Sequence, residues 1–144
     1  MSDLDERFAD ALHSTARAWR QAVDRRLKYL GVSQASWMTI AVAAKAPTPL
    51  SQSELADKLG VEGATMVAMV DRLVKAGLSV RVPSSADRRV NHVLLTDAGQ
   101  QLYAKVKAEA AAVRQDLLSS IDPVKLEIAA EVLESLQGIF ETSP

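Results

Sequence analysis

The 144-residue chain predicts a mainly α fold with one small two-stranded β element. Three observations predict it. Apolar residues recur every three or four positions through most of the chain, Ser, Thr, Asp, Gly and Pro stand at the ends of those runs, and the window 78–95 switches to β-branched segments around a polar loop. Hydrophobic residues make up 48% and charged residues 24%, the proportions of a chain that folds rather than one that stays disordered. The length suits one compact subunit with a modest core.

The first helix is marked by Phe8, Leu12, Ala16, Trp19, Val23, Leu27 and Leu30, whose steps of three and four trace one helical face. Arg17, Arg20, Arg25, Arg26 and Lys28 lie between them and read as its solvated side. Gly31 supplies a stop, and Ser33 caps a second helix through Trp37, Ile40 and Ala44 that ends before Pro47-Thr48-Pro49. Ser51-Gln52-Ser53-Glu54 is a capping box that opens a short third helix closing at Gly60. Val61 and Glu62 turn into a fourth helix, with Met66, Val70, Leu73 and Val74 expected inward and Gly77 past its end. Residues 78–83 and 90–95 then form a hairpin whose polar loop, 84–89, is too long for a two-residue turn. Thr96-Asp97 caps a long alanine-rich helix with Leu102, Val106, Val113 and Leu117 on one face. Asp122-Pro123 starts the last helix, with Leu126, Ala129, Leu133, Leu136 and Phe140 as its apolar face.

Composition excludes several functions. No cysteine is present, which removes disulfides, thiolate metal sites, Fe–S ligation and a cysteine nucleophile. The two histidines, His13 and His92, are far apart, and neither a Gly-rich phosphate loop nor a nucleophile elbow occurs, so no enzyme, metal or cofactor is expected. The acidic start and the absence of a long apolar run make a cytoplasmic location, with no membrane partner, the expectation. The net charge is −1, so a surface for a polyanion must be local. In 62–96, Arg72, Lys75, Arg81, Arg88 and Arg89 outnumber Glu62, Asp71 and Asp87 by two, which leaves −3 for the remainder.

Helix, tight turn, helix and hairpin, in that order, make a winged helix-turn-helix, in which the second helix of the pair lies in a major groove of double-stranded DNA and the wing reaches the flanking minor groove. Leu55, Ala56, Leu59, Gly60, Val61 and Met66 supply the apolar, small and turn residues that two steeply crossing helices need. Asp-Arg-Arg occurs twice. Asp24-Arg25-Arg26 falls inside a helical run and reads as a solvated face, whereas Asp87-Arg88-Arg89 lies at the wing tip, where an Arg can enter a narrow A·T minor groove.

The chain resembles the MarR family of bacterial transcription regulators, and within it the SlyA-like branch, over nearly its whole length. The resemblance rests on Trp19-Arg20 with Leu27-Lys28, Ser33-Gln34-x-x-Trp37, Ser53-Glu54-Leu55-Ala56-x-x-Leu59-Gly60-Val61, Val70-Asp71-Arg72-Leu73-Val74-x-x-Gly77-Leu78, Asp87-Arg88-Arg89 and Leu95-Thr96-x-x-Gly99. It implies a homodimer paired through the first and the last two helices, bound to a pseudo-palindromic operator and usually repressing, that in many members is released by a small phenolic or anionic compound. On that basis residues 1–32 and 97–144 form a helical dimerisation region and 33–96 the DNA-binding lobe. An intramolecular bundle is the alternative use of the same apolar faces. In the family the wing Asp and one Arg commonly brace each other while the other Arg meets DNA; the sequence does not say which of Arg88 and Arg89 does which.

The chain departs from the family at Val67 and Ala68, where a small hydroxyl residue and then Arg, or another polar residue, are usual. A helix reading Gly63-Ala64-Thr65-Met66-Val67-Ala68-Met69 has no charge for a bidentate contact to guanine. Thr65 and Ala68 remain to meet thymine methyls, which implies A·T-rich preference and readout of shape through the wing. Phosphate positioning falls to Ser33, Ser51, Ser53 and Arg72; helix capping is the competing role for the serines, and pairing with Asp71 for the arginine. His13, Trp19, Arg20 and Trp37 are candidates for an effector crevice with an aromatic wall and a cation, against core packing of both tryptophans. A dimer that keeps the fold but has lost base readout, and acts as a ligand- or protein-binding scaffold, is the alternative function.

Overall fold

The computed structural model describes residues 2–142. In chain order it contains α1 (Ser2–Arg26), a 3-10 turn (Lys28–Leu30), α2 (Gln34–Lys45), β1 (Leu50–Ser51), α3 (Gln52–Leu59), α4 (Gly63–Lys75), β2 (Ser79–Pro83), β3 (Asn91–Leu95), α5 (Asp97–Leu118) and α6 (Pro123–Thr142). Two compact units divide within α5, one ending at Ala111 and the other beginning at Ala112.

In α1, Asp3 and Asp5 in the first turn and Arg25 and Arg26 in the last complement the helix dipole. Burial is graded along its apolar stripe: Leu27 and Val23 are buried, Trp19 is half-buried, and Phe8 is 43% exposed. The Ser33 hydroxyl caps α2 by accepting the Ser36 N–H at 3.1 Å. In the first Asp-Arg-Arg, Arg25 and Arg26 are exposed as expected, but Asp24 is half-buried and two of the three have partners. Asp24 accepts the Trp37 indole N–H at 3.0 Å, tying α1 to α2, and Arg26 pairs with Glu109 of α5 at 3.0 Å. Helical spacing alone did not reveal these partners, because they come from distant segments.

The capping box at α3 is complete: the Ser51 hydroxyl accepts the Glu54 N–H at 3.1 Å and the Glu54 carboxylate accepts the Ser51 N–H at 2.9 Å. Gly60 and Gly77 end α3 and α4 in the left-handed region, with φ of 68° and 78°. At each end the glycine N–H and the next N–H reach back to two otherwise open carbonyls, Asp57 and Ala56 in one case, Val74 and Leu73 in the other. The inward residues of α4 are Met66, Met69, Val70 and Leu73. Val74, expected inward, is exposed, because the buried arc closes at Leu73 and Met69 fills the place between the two ridges. Leu50, Leu55, Ala56, Met66, Met69, Val70 and Val93 form the core of this lobe. Each large aliphatic side chain so buried contributes roughly 1.5–3 kcal/mol.

The hairpin is present, and the sheet has a third strand that the sequence did not announce. Its order is β1-β3-β2, all antiparallel, with Leu50 opposite Val93 and Arg81 opposite Val93 on its other side. Two residues are too few to display a period, so β1 read only as a helix cap. Thr96 closes the lobe: its hydroxyl donates to the Gly77 carbonyl at 2.7 Å and accepts the Gly99 N–H at 3.1 Å, joining the end of α4 to the start of α5. A Cβ on Gly99 would collide with the Leu78 carbonyl oxygen.

In α5, Val106 and Val113 are buried and Leu117 is exposed. Asp122 caps α6 through the Val124 N–H at 3.2 Å. No residue of α6 is buried. Of its expected apolar face, Leu126 and Leu136 are half-buried while Ala129, Leu133 and Phe140 are exposed, and Val124, Ile128, Val132 and Ile139 make a further exposed apolar row.

The close approach at Gly99 predicts that Gly99→Ala lowers stability by about 1–3 kcal/mol, the range for overpacking a tight contact. Gly63→Ala, where a Cβ meets nothing within 4 Å, is expected to change it by less than about 0.5 kcal/mol. Thermal or denaturant unfolding measures both, and equal effects would contradict the contact.

Candidate nucleic-acid interface

The outer surface of α4 follows from its inner one. With Met66, Met69, Val70 and Leu73 turned to the core, the remaining helical positions present Ala64, Thr65, Val67, Ala68, Asp71, Arg72 and Lys75 to solvent. The first two turns therefore offer one hydroxyl, on Thr65, and no charge beyond the Glu62 cap residue, while Arg72 and Lys75 gather at the C-terminal end. That order matches the helix dipole, since cations belong at the C-terminus.

A residue outside the sequence-derived set holds this surface in place. Arg81, on β2, donates from Nε to the Gln52 side-chain oxygen of α3 at 2.7 Å. Its second terminal nitrogen donates to the Val67 carbonyl at 3.2 Å and to Asp71 at 2.6 Å, both on α4. One guanidinium thus links the wing strand to both helices of the pair. The geometry uses the fork of Arg, which a point-charge Lys lacks. A signal for it existed: alternation along β2 puts Ser79 and Arg81 on the face of Val93, leaving Val80 and Val82 outside. The sequence count had treated Arg81 only as one of five positive charges.

Asp71 therefore pairs with Arg81 and not with its neighbour Arg72, because adjacent residues on a helix do not face each other. Among the described residues no ion pair engages Arg72, which is exposed.

At the wing tip the two arginines separate. Asp87 receives Nε and the second terminal nitrogen of Arg89 at 3.1 and 3.2 Å, and the Arg89 backbone N–H at 3.0 Å. The loop is closed further by Ser84 N–H to the Val90 carbonyl at 2.7 Å and by the Ala86 N–H to the Ser84 hydroxyl. Arg88 is exposed and, among the described residues, without a hydrogen-bond partner.

The serines divide. Ser33 and Ser53 are exposed at the starts of α2 and α3. Ser51, expected among the phosphate contacts, is a buried cap whose hydroxyl is occupied by Glu54. Of the crevice candidates, His13 and Arg20 are exposed on α1 and Trp19 is half-buried. Trp37 is buried, with its indole N–H on Asp24, which is a packing role. No helix among the described residues is long and apolar enough to cross a membrane.

A sequence model of the MarR family matches residues 30–90, the span from the end of the 3-10 turn to the wing loop. The chain is similar to the solved transcriptional regulator PA3341, with a TM-score of 0.86 and 38% identity over 94% of this chain and 99% of that one. It shares its fold with BldR, a transcriptional regulator from Sulfolobus solfataricus, at a TM-score of 0.81 and 24% identity over 99% of both chains. It also shares its fold with CouR from Rhodococcus jostii RHA1, solved with p-coumaroyl-CoA bound, at 0.79 and 23% identity over 92% of this chain and 93% of that one.

The Arg89 side chain, and then its backbone N–H, hold the Asp87 carboxyl below the usual carboxylate range. Because the folded-state value lies below the free one, the brace is complete above the ordinary Asp titration and is lost only as pH falls through the lowered value. An NMR titration of the Arg89 Nε–H signal is expected to give a midpoint below that of Asp in an unstructured peptide; a midpoint at the peptide value would contradict the brace.

Proposed function

The chain belongs to the MarR family of transcriptional regulators, and we propose that it acts as a homodimeric repressor that binds a pseudo-palindromic, A·T-rich operator. The observation that carries this reading is the wing: Asp87 braces Arg89 and leaves Arg88 unengaged at the tip of the hairpin that Arg81 fixes to α4. Arg88 is then the residue that enters the minor groove, where a narrow A·T tract has the strongest negative potential. Thr65 and Ala68 meet base edges or thymine methyls from α4, and Ser33, Ser53 and Arg72 position phosphates. The motifs 70–78 and 87–89 favour the SlyA-like branch.

Dimerisation rests on the apolar surface that one chain leaves uncovered. Leu4, Phe8 and Leu12 on α1, and Val124, Ile128, Val132 and Ile139 on α6, are exposed at helical spacing, and a second copy supplies the matching surface. Residues 1–32 and 97–144 form the dimerisation region and 33–96 the DNA-binding lobe. A small aromatic or anionic effector that releases DNA fits this reading, and CouR, which shares the fold, binds p-coumaroyl-CoA.

Fluorescence anisotropy on the DNA upstream of the protein's own gene, beside a scrambled duplex and at two salt concentrations, tests the reading. We expect salt-sensitive binding to the native duplex alone. Arg88→Ala should weaken it about tenfold or more and lower the salt slope by roughly 1–2, since each lost phosphate or groove contact removes about one counterion per subunit. Arg89→Ala should cost less. Equal weak binding to both duplexes would favour the scaffold function, for which the uncharged face of α4 is the specific argument.

The apolar row on α6 predicts that Ile128→Asp converts the dimer to a monomer in sedimentation and abolishes operator binding with it. A dimer that persists in this variant would move the interface elsewhere.

A further inference from the structure

Three of the four methionines in the chain, Met38, Met66 and Met69, line one cavity of about 470 Å3. It lies between the first turns of α2, the α3–α4 turn and the inner side of α4, and it opens to solvent past the exposed Ser33, Ala35, Val61 and Thr65. Met66 and Met69 belong to the core cluster that seats α4, whereas Met38 is half-buried on α2. Two core thioethers are therefore within reach of a small molecule from outside. No charged side chain lines the cavity, so it admits a neutral molecule more readily than an ion.

The chain has no cysteine, so no thiol competes for an electrophilic oxidant, and the thioethers are its readiest two-electron donors. Hypochlorous acid is a small, neutral oxidant of this kind. A thioether sulfur attacks its chlorine, so that an S–Cl bond forms as the O–Cl bond breaks and hydroxide leaves. Water then adds to the sulfur, chloride departs with the two electrons, and two protons are lost, one of which neutralises the hydroxide. The net change converts one thioether and one hypochlorous acid to one sulfoxide, one chloride and one proton. Nothing stays bound. What persists is the added oxygen, which sulfoxide reductases remove.

We propose that Met66 and Met69 are a reversible oxidation site, and that their conversion to sulfoxides unseats α4 and weakens DNA binding. The second clause rests on the DNA-binding function proposed above. The Met69 sulfur accepts the Ser36 hydroxyl of α2 at 3.7 Å, a direct tie between the two helices. Oxygen added on the lone pair that faces Ser36 wedges into that tie, and oxygen added on the other lone pair lies against the apolar core with no partner. At Met66, only 1% exposed, the same misfit arises inside the core cluster. Methionine suits both states: unbranched and apolar, it fills the core while reduced, and one added atom makes it a polar misfit. Met66 and Met69 form the inward side of the helix that carries Thr65, Val67 and Ala68 outward, so displacing one side moves the other. Met38, half-buried on α2, carries an added oxygen next to solvent and lies outside the switch.

Treatment of the intact protein with one molar equivalent of hypochlorous acid per methionine, quenched with free methionine, tests the site. Peptide mass spectrometry is expected to find one added oxygen on Met66 and on Met69. The unfolding temperature should fall by about 5 °C or more, and the Kd for the operator should rise about tenfold or more. Methionine sulfoxide reductases A and B, which take one sulfoxide epimer each, should restore both quantities, as they would not after damage to tryptophan or lysine. Met66→Leu/Met69→Leu, a volume-conserving change, should bind the operator as the reduced wild type does and keep its Kd after oxidant, while Met38→Leu stays as sensitive as the wild type. Reductase rescue needs no variant, so it decides the site even where the double variant fails to fold. Oxygen confined to Met1 and Met38, losses that the reductases do not reverse, or equal sensitivity in the double variant would overturn the site. Both sulfoxides formed with an unchanged operator Kd would overturn the coupling to DNA alone. A protein that binds no DNA before oxidation would refute the regulator function, while the mass and unfolding measurements, made without DNA, decide the oxidation site separately.

Discussion

The guanidinium of Arg81 is the constraint on which the DNA-facing surface depends. It reaches Gln52 of α3 and the Val67 carbonyl and Asp71 of α4 from a strand of the wing, so three elements that would otherwise meet only through the core share one rigid fork. The Arg81–Asp71 pair is partly solvated, with side-chain exposures of 25% and 60%, and screening limits such a pair to about 1 kcal/mol or less. Its importance is therefore geometric. A winged helix must present its recognition helix and its wing tip to two different grooves at a fixed separation, and a side-chain fork holds that separation more tightly than apolar packing, which tolerates small slides.

Fixed spacing matters more here than in a relative with a charged recognition helix. A bidentate Arg–guanine contact supplies roughly 1–3 kcal/mol of discrimination from one side chain, whatever the neighbouring groove width. With Thr65, Val67 and Ala68 outward, α4 lacks that contact, and in the function proposed above selectivity comes from how well the duplex fits a preset distance between α4 and Arg88. The Asp87–Arg89 brace serves the same end at the other extremity, because an unbraced loop of seven residues between Pro83 and Asn91 would lose conformational entropy on binding. Rigid parts and an uncharged helix are two aspects of a single recognition strategy.

Much of this was legible in the sequence because it is local. Capping by Ser33, Ser51, Thr96 and Asp122, the left-handed Gly60 and Gly77, and the switch of period at the hairpin each depend on residues within four positions of one another, and each is present. What stayed hidden depends on partners far along the chain. Asp24 meets Trp37, Arg26 meets Glu109, and Arg81 meets Gln52 and Asp71; helical spacing described the first two as solvated, and Arg81 entered only the charge count. Val74 and Met69 exchanged places for a related reason: apolar spacing defines an arc, and only the neighbouring helix determines where the arc stops. Gly99 was legible as part of a motif, but its cause, the Leu78 carbonyl against the start of α5, lies 21 residues away.

The apolar stripe of α1 carries the argument one step beyond the single chain. Its spacing does not change between Phe8 and Leu27, yet Leu27 is fully buried and Phe8 is 43% exposed. A stripe whose periodicity continues past the surface that covers it has been shaped by a second surface, since exposed positions on a solvated helix would otherwise be free to take polar residues. The rows on α6 obey the same logic more strongly, being apolar at Val124, Ile128, Val132 and Ile139 with no buried residue in that helix. Two helices far apart in sequence thus leave unmet the same requirement, the one that the proposed dimer would satisfy. In the function proposed above, such a dimer sets the distance between two wings and two recognition helices, so the apolar rows and the Arg81 fork bear on the same quantity at different scales: the spacing at which the protein would grip DNA.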